Sequence, residues 1–430
     1  MRLQLTDNGP ELFCRRPRRW LTAGVLLICL GTHTMTFAQK TNQIDEKNAI
    51  SKEGSFSTPR DTKKEVDVNF LFNYYDQDGN HSAVTGGQGT EELKDRAMKI
   101  VVNVPLDSVS TLNFGTHLNV YTSASTDRID SNVSSASRRD LRNQFDVGYT
   151  REIQAGKQQY GLNFGGSSES DYISIYGGGR WSKNFNNDNS QIGLNFQAFF
   201  DTWLLIFPEE LRNPQATAFI ETNRRKSFNL SVTLAQVLHK KLQAAVFGDV
   251  VYQTGLLSTP FHRVYFNVGD SLRIEKLPSR RFKFPLGVRI NYFSTDHLIF
   301  RFYYRFYHDD FGIHAHTLSL ETPLKVNSFF SIYPFYRYHR QTASKYFKPF
   351  KAHSLQQTYY TSDFDLSDFD SHKVGLGLHF APVWGIGRFK LFSKTKVTRF
   401  KSIDLRYAWY SRSDGLSASV ISGGFAFSSK

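Results

Sequence analysis

The 430-residue sequence is nearly devoid of cysteine: Cys14 and Cys29 are its only two, and both fall within the first 38 residues. Beyond that point no disulfide, thiol nucleophile or thiolate metal site can be built. Past the N-terminal segment there is also no apolar run long enough to cross a bilayer as a helix, which excludes a helical membrane protein and leaves strands as the spanning element. Amphipathic helical patterning is almost missing, so a soluble sheet would lack a covering layer. Lys and Arg number 53 against 39 Asp and Glu, a net +14, yet no basic helix, zinc-finger spacing or helix-turn-helix pattern accompanies that excess. Nucleic acid is therefore not an expected partner. Many Ser, His and Asp residues are present, but no spacing singles out a nucleophile. No catalytic residue or cofactor is assigned, and an enzyme is not expected.

What the sequence has is alternation, most clearly in residues 298–308. Leu298, Phe300, Phe302, Tyr304 and Phe306 share one face; Ile299, Arg301, Tyr303, Arg305 and Tyr307 share the other. A helix would scatter two arginines and six aromatics around all sides, whereas a strand sorts them. The pattern recurs from 66–74 to 416–427 and gives about sixteen strands (14 to 18), each near membrane-spanning length. The fold expected is all-β, a transmembrane antiparallel up-and-down β-barrel with one face in lipid and the other in water. An aromatic fraction of 15% and a mean hydropathy of −0.41 fit a wall that is apolar on one residue in two.

Connections alternate in length. Short turns fall at 105–110, 154–157, 186–189, 239–240, 294–297 and 324–328; long loops fall at 76–97, 123–142, 202–226, 254–281 and 340–372. Barrels of this type place tight turns in the periplasm and long loops outside. An even strand count then puts both termini in the periplasm. Short outer connections at 170–171, 309–311 and 412–415, with a long basic inner one at 382–401, make the rim uneven.

Residues 1–38, with Arg15, Arg16, Arg18 and Arg19 before an apolar stretch of 11 residues, read as a secretory signal. Residues 39–64 read as a flexible periplasmic leader and 65–430 as the barrel, exported to the outer membrane.

Alternation assigns Arg289, Arg301, Arg305, Arg337, Arg406, Asp249, Glu321 and Asp404 to the lumen, with His117 and Asp146. An arginine turned to lipid at mid-membrane costs about 2–4 kcal/mol. Two clusters invite a metal reading. Asp76 to Asn80 resembles part of a calcium loop but fails in register, so an Asx/Gly turn is favoured. His308, Asp309, Asp310, His314 and His316 gather donors at one strand turn, but Leu318 and Leu320 continue the His314 and His316 face toward lipid. Interfacial histidines are the favoured reading, and no metal is assigned. The glycines at 86–90 lack the Lys-Ser/Thr of a phosphate loop. The acidic run from Asp363 to His372 reads first as a solvated loop, with a cation site as the alternative.

Four motifs carry a family resemblance: YYDQDGNHSAVTGGQGTEEL at 74–93, GLLSTPFHRVYF at 255–266, YYRFYHDDFG at 303–312 and RSDGL at 412–416. The chain resembles bacterial outer-membrane proteins catalogued as domain of unknown function 3570, over essentially everything from residue 65 onward. The resemblance points to Tyr75, Asp78, Gly79, Asn80, His81, Ser82, Gly86, Gly87, Gly89, Thr90 and Glu91 as the family-motif loop, and carries no catalytic residue. Members are often encoded beside a small lipoprotein, a thioredoxin-like protein and a flavin transferase. That context implies extracytoplasmic partners of those kinds, in addition to outer-membrane lipids. Three readings follow: a conduit or membrane partner of an extracytoplasmic, redox- or flavin-linked assembly; a metal-binding receptor or barrel enzyme at the outer loops; and a soluble all-β adhesin.

Overall fold

A strand cannot satisfy its own backbone, and in hydrocarbon every unpaired amide is costly, so apolar strands survive there only in a ring. The computed structural model describes residues 65–122, 139–154, 156–212, 221–390 and 397–429; the expected signal and leader lie outside these. Sixteen strands form the barrel. They are β1 (Val66–Asp78), β2 (Leu93–Pro105), β3 (Ser110–Thr122), β4 (Arg139–Ile153), β5 (Gln158–Ser168), β6 (Tyr172–Phe185), β7 (Ser190–Leu204) and β8 (Thr222–His239). The ring continues with β9 (Leu242–Gly255), β10 (Arg280–Phe293), β11 (Ile299–Asp309), β12 (His314–Glu321), β13 (Phe330–Gln341), β14 (Phe369–Phe380), β15 (Thr398–Arg412) and β16 (Ser417–Ser429). Each pairs antiparallel with its neighbours in chain order, and β16 returns to β1, with Val66 opposite Ser429 and Asp78 opposite Ser417. No edge is left open.

The two faces differ as the alternation requires. Outward residues form an apolar band: Leu162 is 69% exposed, Phe164 63% and Leu286 56%. A soluble protein would have to leave this band in water. On the inner face, side chains lie across glycines of the neighbouring strand. A Cβ at Gly165 of β5 would come 2.5 Å from the Tyr176 hydroxyl of β6, and Tyr176 reaches past β5 to bond with Asp146 of β4.

At one end the turns are tight. Between β6 and β7 the residues Asn186, Asn187 and Asp188 all have positive φ, 54°, 51° and 63°; Asn and Asp tolerate that region better than other residues with a Cβ. Both ends of the ring, Val66 and Ser429, lie at this short-turn end. The opposite end carries the long connections except that between β14 and β15, which leaves from Phe380 at the short-turn end as the sequence leads one to expect.

The sixteen segments fall where alternation puts them, but several run further toward the long-loop end. β1 continues to Asp78, β2 begins at Leu93 rather than 98, β4 at Arg139 rather than 143 and β8 at Thr222 rather than 227. Apolar alternation stops where lipid stops, whereas backbone pairing continues above it. β12 is the reverse case: Gly312, expected to open it, sits at φ +88° in the turn, and the strand begins at His314.

Candidate functional site

Two regions concentrate polar chemistry: the inner wall and the long-loop mouth. On the inner wall Arg301 Nη1 donates to Glu321 Oε1 at 2.8 Å, and Arg406 Nη1 donates to Glu321 Oε2 at 3.1 Å. β12 and β15 are not neighbours, so Arg406 meets Glu321 only through the interior. Arg289 stands 5.3 Å from the Phe247 ring centre and 5.6 Å from that of Tyr303, within cation–π range. Asp404 faces His379 Nδ1 at 2.7 Å. Asp249 lies opposite Ser231, Arg305 opposite Gly287 and Thr317, and Arg337 opposite Ser319 and Lys373. Arg301, Glu321 and Arg406 thus converge on one point; the others are distributed around the wall.

The mouth is built by connections that meet. Segment 79–92, between β1 and β2, is folded on itself: Glu91 N donates to Gly79 O at 2.8 Å, Gly87 N to Ser82 O at 2.8 Å, and Gln77 Nε2 to Glu91 O at 3.2 Å. His81 stacks on Phe364 at 3.9 Å between ring centres, 7° from parallel. Gly86 and Gly87 have φ of 81° and 85°; a Cβ on Gly86 would lie 2.6 Å from the Tyr265 ring and one on Gly87 2.8 Å from Ser362 O. Conformation and close approach both demand glycine there.

The β9–β10 connection contributes a small hairpin, 263–265 paired with 272–274. Its Val264 and Phe266 are fully buried and meet Tyr360 of the β13–β14 connection, with Phe266 and Tyr360 ring centres 4.9 Å apart. Arg263 ties three connections together. Its Nε and Nη2 donate to the Glu210 carboxylate of the β7–β8 connection at 2.9 and 2.8 Å, and its Nη1 donates to Val84 O of the β1–β2 connection at 2.7 Å. β1 and β9 stand eight places apart in a ring of sixteen. Loops rooted at opposite sides of the barrel therefore touch, and the body they form bridges the mouth. Arg412, at the top of β15, anchors this body to the wall through Asp365 and the Phe364 carbonyl. An open pocket of about 610 Å³ lies on the body, between Gln88, Glu210, Tyr265, Phe350 and Lys351.

Charge in the cap is compressed. Burial, then the neighbouring Asp365 carboxylate, pushes Glu91 up to about 8. The same two causes push Asp363 up to about 6.

The five donors singled out around the β11–β12 turn do not form a cluster. Asp309 is buried on the inner face, where it accepts from Arg281 Nε at 3.0 Å, Tyr307 at 2.6 Å and Ile313 N at 3.1 Å. His308 and His314 stack at 4.5 Å on the outer face, and His316 bonds Tyr304 there at 2.8 Å. Asp310 accepts from Phe282 N. The wall itself separates the carboxylate from the imidazoles. Among the described residues, two other sets bring donor atoms within 4.8 Å of one another: His262 with Glu275 and Asp363, and Asp140 with Glu169 and Asp171. In the second, Arg142 already pairs with Glu169. Sequence reading had His262 inside a motif and Asp363 inside an acidic run, but Glu275 gave no signal.

Among solved structures, the ferric enterobactin receptor (PfeA) mutant from Pseudomonas aeruginosa is similar over 80% of this chain and 53% of its own, at 11% identity and a TM-score of 0.42. This chain spans about half the length of that receptor. A bacterial polysaccharide outer membrane secretin matches over 84% of this chain and 97% of its own, at 9% identity and a TM-score of 0.43. The TodX monoaromatic hydrocarbon channel mutant matches over 85% and 90%, at 10% and 0.37. No similar sequence is found among curated proteins. The profile of one family matches residues 62–384, a span that includes the mouth-bridging segment and fourteen strands of the ring. The chain belongs to that family, described as protein of unknown function (DUF3570).

Proposed function

We propose that the chain is an outer-membrane conduit for small anionic solutes whose long-loop mouth is closed by its own loops and opens when they loosen. The reading places the short-turn end, with both ends of the ring, in the periplasm. A sixteen-strand ring is wide enough for an aqueous lumen. With Lys99, Lys283 and Lys373 beside the arginines, the inward positions hold more basic side chains than carboxylates, and basic linings favour anions.

The observation that carries the reading is the Arg263 bridge, which joins connections from opposite sides of the barrel. A fixed structural cap would need no such polar latch beside a packed apolar contact; a gate benefits from one that breaks at modest cost, because a charge-assisted bond contributes roughly 1.5–3 kcal/mol. Planar-bilayer recording of the refolded protein tests it. The native chain should show rare openings, Arg263→Ala should raise the open fraction at least about tenfold, from roughly 1.4 kcal/mol lost from the closed state, and the reversal potential in a salt gradient should report anion preference. Equal silence of both proteins, or cation preference, would contradict the reading.

A further inference from the structure

The hairpin that opens with Arg263 also juxtaposes its own ends. Because Arg263 pairs with Ile274, the next pair outward is His262 and Glu275, and Glu275 N donates to His262 O at 3.0 Å. Asp363, from the β13–β14 connection, is carried to the same point: its N–H bonds Thr361 Oγ1 at 3.0 Å, and that hydroxyl donates to Glu275 Oε1 at 2.5 Å.

Three donor atoms then face one another. His262 Nδ1 lies 3.6 Å from Glu275 Oε1 and 3.9 Å from Asp363 Oδ2. Both separations exceed hydrogen-bond reach, and His262 Nδ1 is buried with no hydrogen-bond partner. An imidazolium serving as counter-ion would close to about 2.7–2.9 Å on a carboxylate. Two ligands of a tetrahedral zinc ion, each about 2.0–2.2 Å from the metal, stand roughly 3.3–3.6 Å apart. The spacing is near that of ligands around an ion and wider than that of a hydrogen-bonded ion pair.

The electrostatics point the same way. The Glu275 side chain is only 2% exposed and that of Asp363 25% exposed, and among the described residues His262 is the only ion-pair partner of either. Two carboxylates held so close need positive charge. The second shell is in place: Glu275 Oε2 accepts from Thr259 N at 2.7 Å and Asp363 Oδ1 from Asp365 N at 2.9 Å, leaving Oε1 and Oδ2 turned toward the imidazole.

We propose that His262, Glu275 and Asp363 bind a divalent transition-metal cation of the zinc type, which ties the β9–β10 connection to the β13–β14 connection. One nitrogen and two carboxylate oxygens suit zinc, and a fourth position is left for water.

The test uses the full chain refolded in detergent, equilibrated with Zn²⁺ in parallel with Ca²⁺ and Mg²⁺, then stripped of free metal by gel filtration. Elemental analysis should find one equivalent of zinc and no retained calcium or magnesium. Glu275→Gln and Asp363→Asn are near-isosteric, and each should weaken zinc binding at least tenfold. His314→Ala and His316→Ala should leave it unchanged. Heat-modifiable gel mobility verifies that each variant still forms the barrel. Absence of retained zinc in the native chain, or equal retention by both carboxamide variants, would overturn the proposal. Binding is read without reference to conductance, so the result stands whether or not the conduit reading does.

Discussion

Glu91 is the single side chain whose ionisation bears most on the cap. Burial holds its carboxyl up to about 8 against an ordinary 4.5, so the folded segment favours the neutral acid. That contribution is fully present below about pH 4.5 and is lost as pH rises through about 8. Protection of segment 79–92 against hydrogen exchange, relative to the intrinsic rate at each pH, should accordingly fall between about pH 4.5 and 8, and Glu91→Gln should flatten that fall; an unchanged protection profile in the variant would refute the assignment. Gly165 gives a second prediction. With Tyr176 Oη and Phe145 O at 2.5 and 2.6 Å from the position of a Cβ, Gly165→Val should destabilise the barrel by about 1–3 kcal/mol through overpacking, measured by urea unfolding in lipid vesicles. Such residues were hard to recognise in the sequence. A glycine beneath a tyrosine on the next strand looks no different from a glycine in a loop, and Glu91, marked in the sequence only as part of the family-motif loop, shows its raised pKa only once its burial and then the neighbouring Asp365, distant in the chain, are known.

Strands were the most legible elements, because period two is a strong signal wherever one face meets lipid. β11 shows this best: Phe302 and Tyr304 are 45% and 40% exposed on the outer side, while Arg301 bonds Glu321 inside. Phe302→Arg should therefore cost about 2–4 kcal/mol of folding free energy in bilayers, while Tyr303→Arg, one residue along, should cost much less. Comparable costs at the two positions would mean that the face assignment is wrong. Strand ends were less legible. β2, β4 and β8 extend past the hydrophobic pattern because the ladder needs only backbone pairing, and charged residues such as Arg139 and Arg224 sit comfortably in its upper, wet turns.

On the scale of the whole molecule, the ring could be read from the sequence, and so could the expectation that the 76–93 segment and the long outer loops fold over or into the mouth; which loops meet there could not. The Arg263 to Val84 bond joins residues 179 apart, and no periodicity encodes a contact between two irregular segments. The family motifs at 74–93 and 255–266 marked both partners without revealing that they meet. The metal donors show the same limit: His262, Glu275 and Asp363 come from three places in the chain, and only the hairpin register and the Thr361 bond assemble them.

The claim on which the rest depends is that connections from opposite sides of the barrel meet over its mouth. Spin labels on Gln88 and Asp270, residues that flank the same pocket from the β1–β2 and β9–β10 connections, measure that directly by pulsed dipolar spectroscopy in lipid nanodiscs. A single short, narrow distance distribution is predicted, broadening on Arg263→Ala. A long or broad distribution in the native chain, as expected for loops standing apart on the rim, would contradict the account.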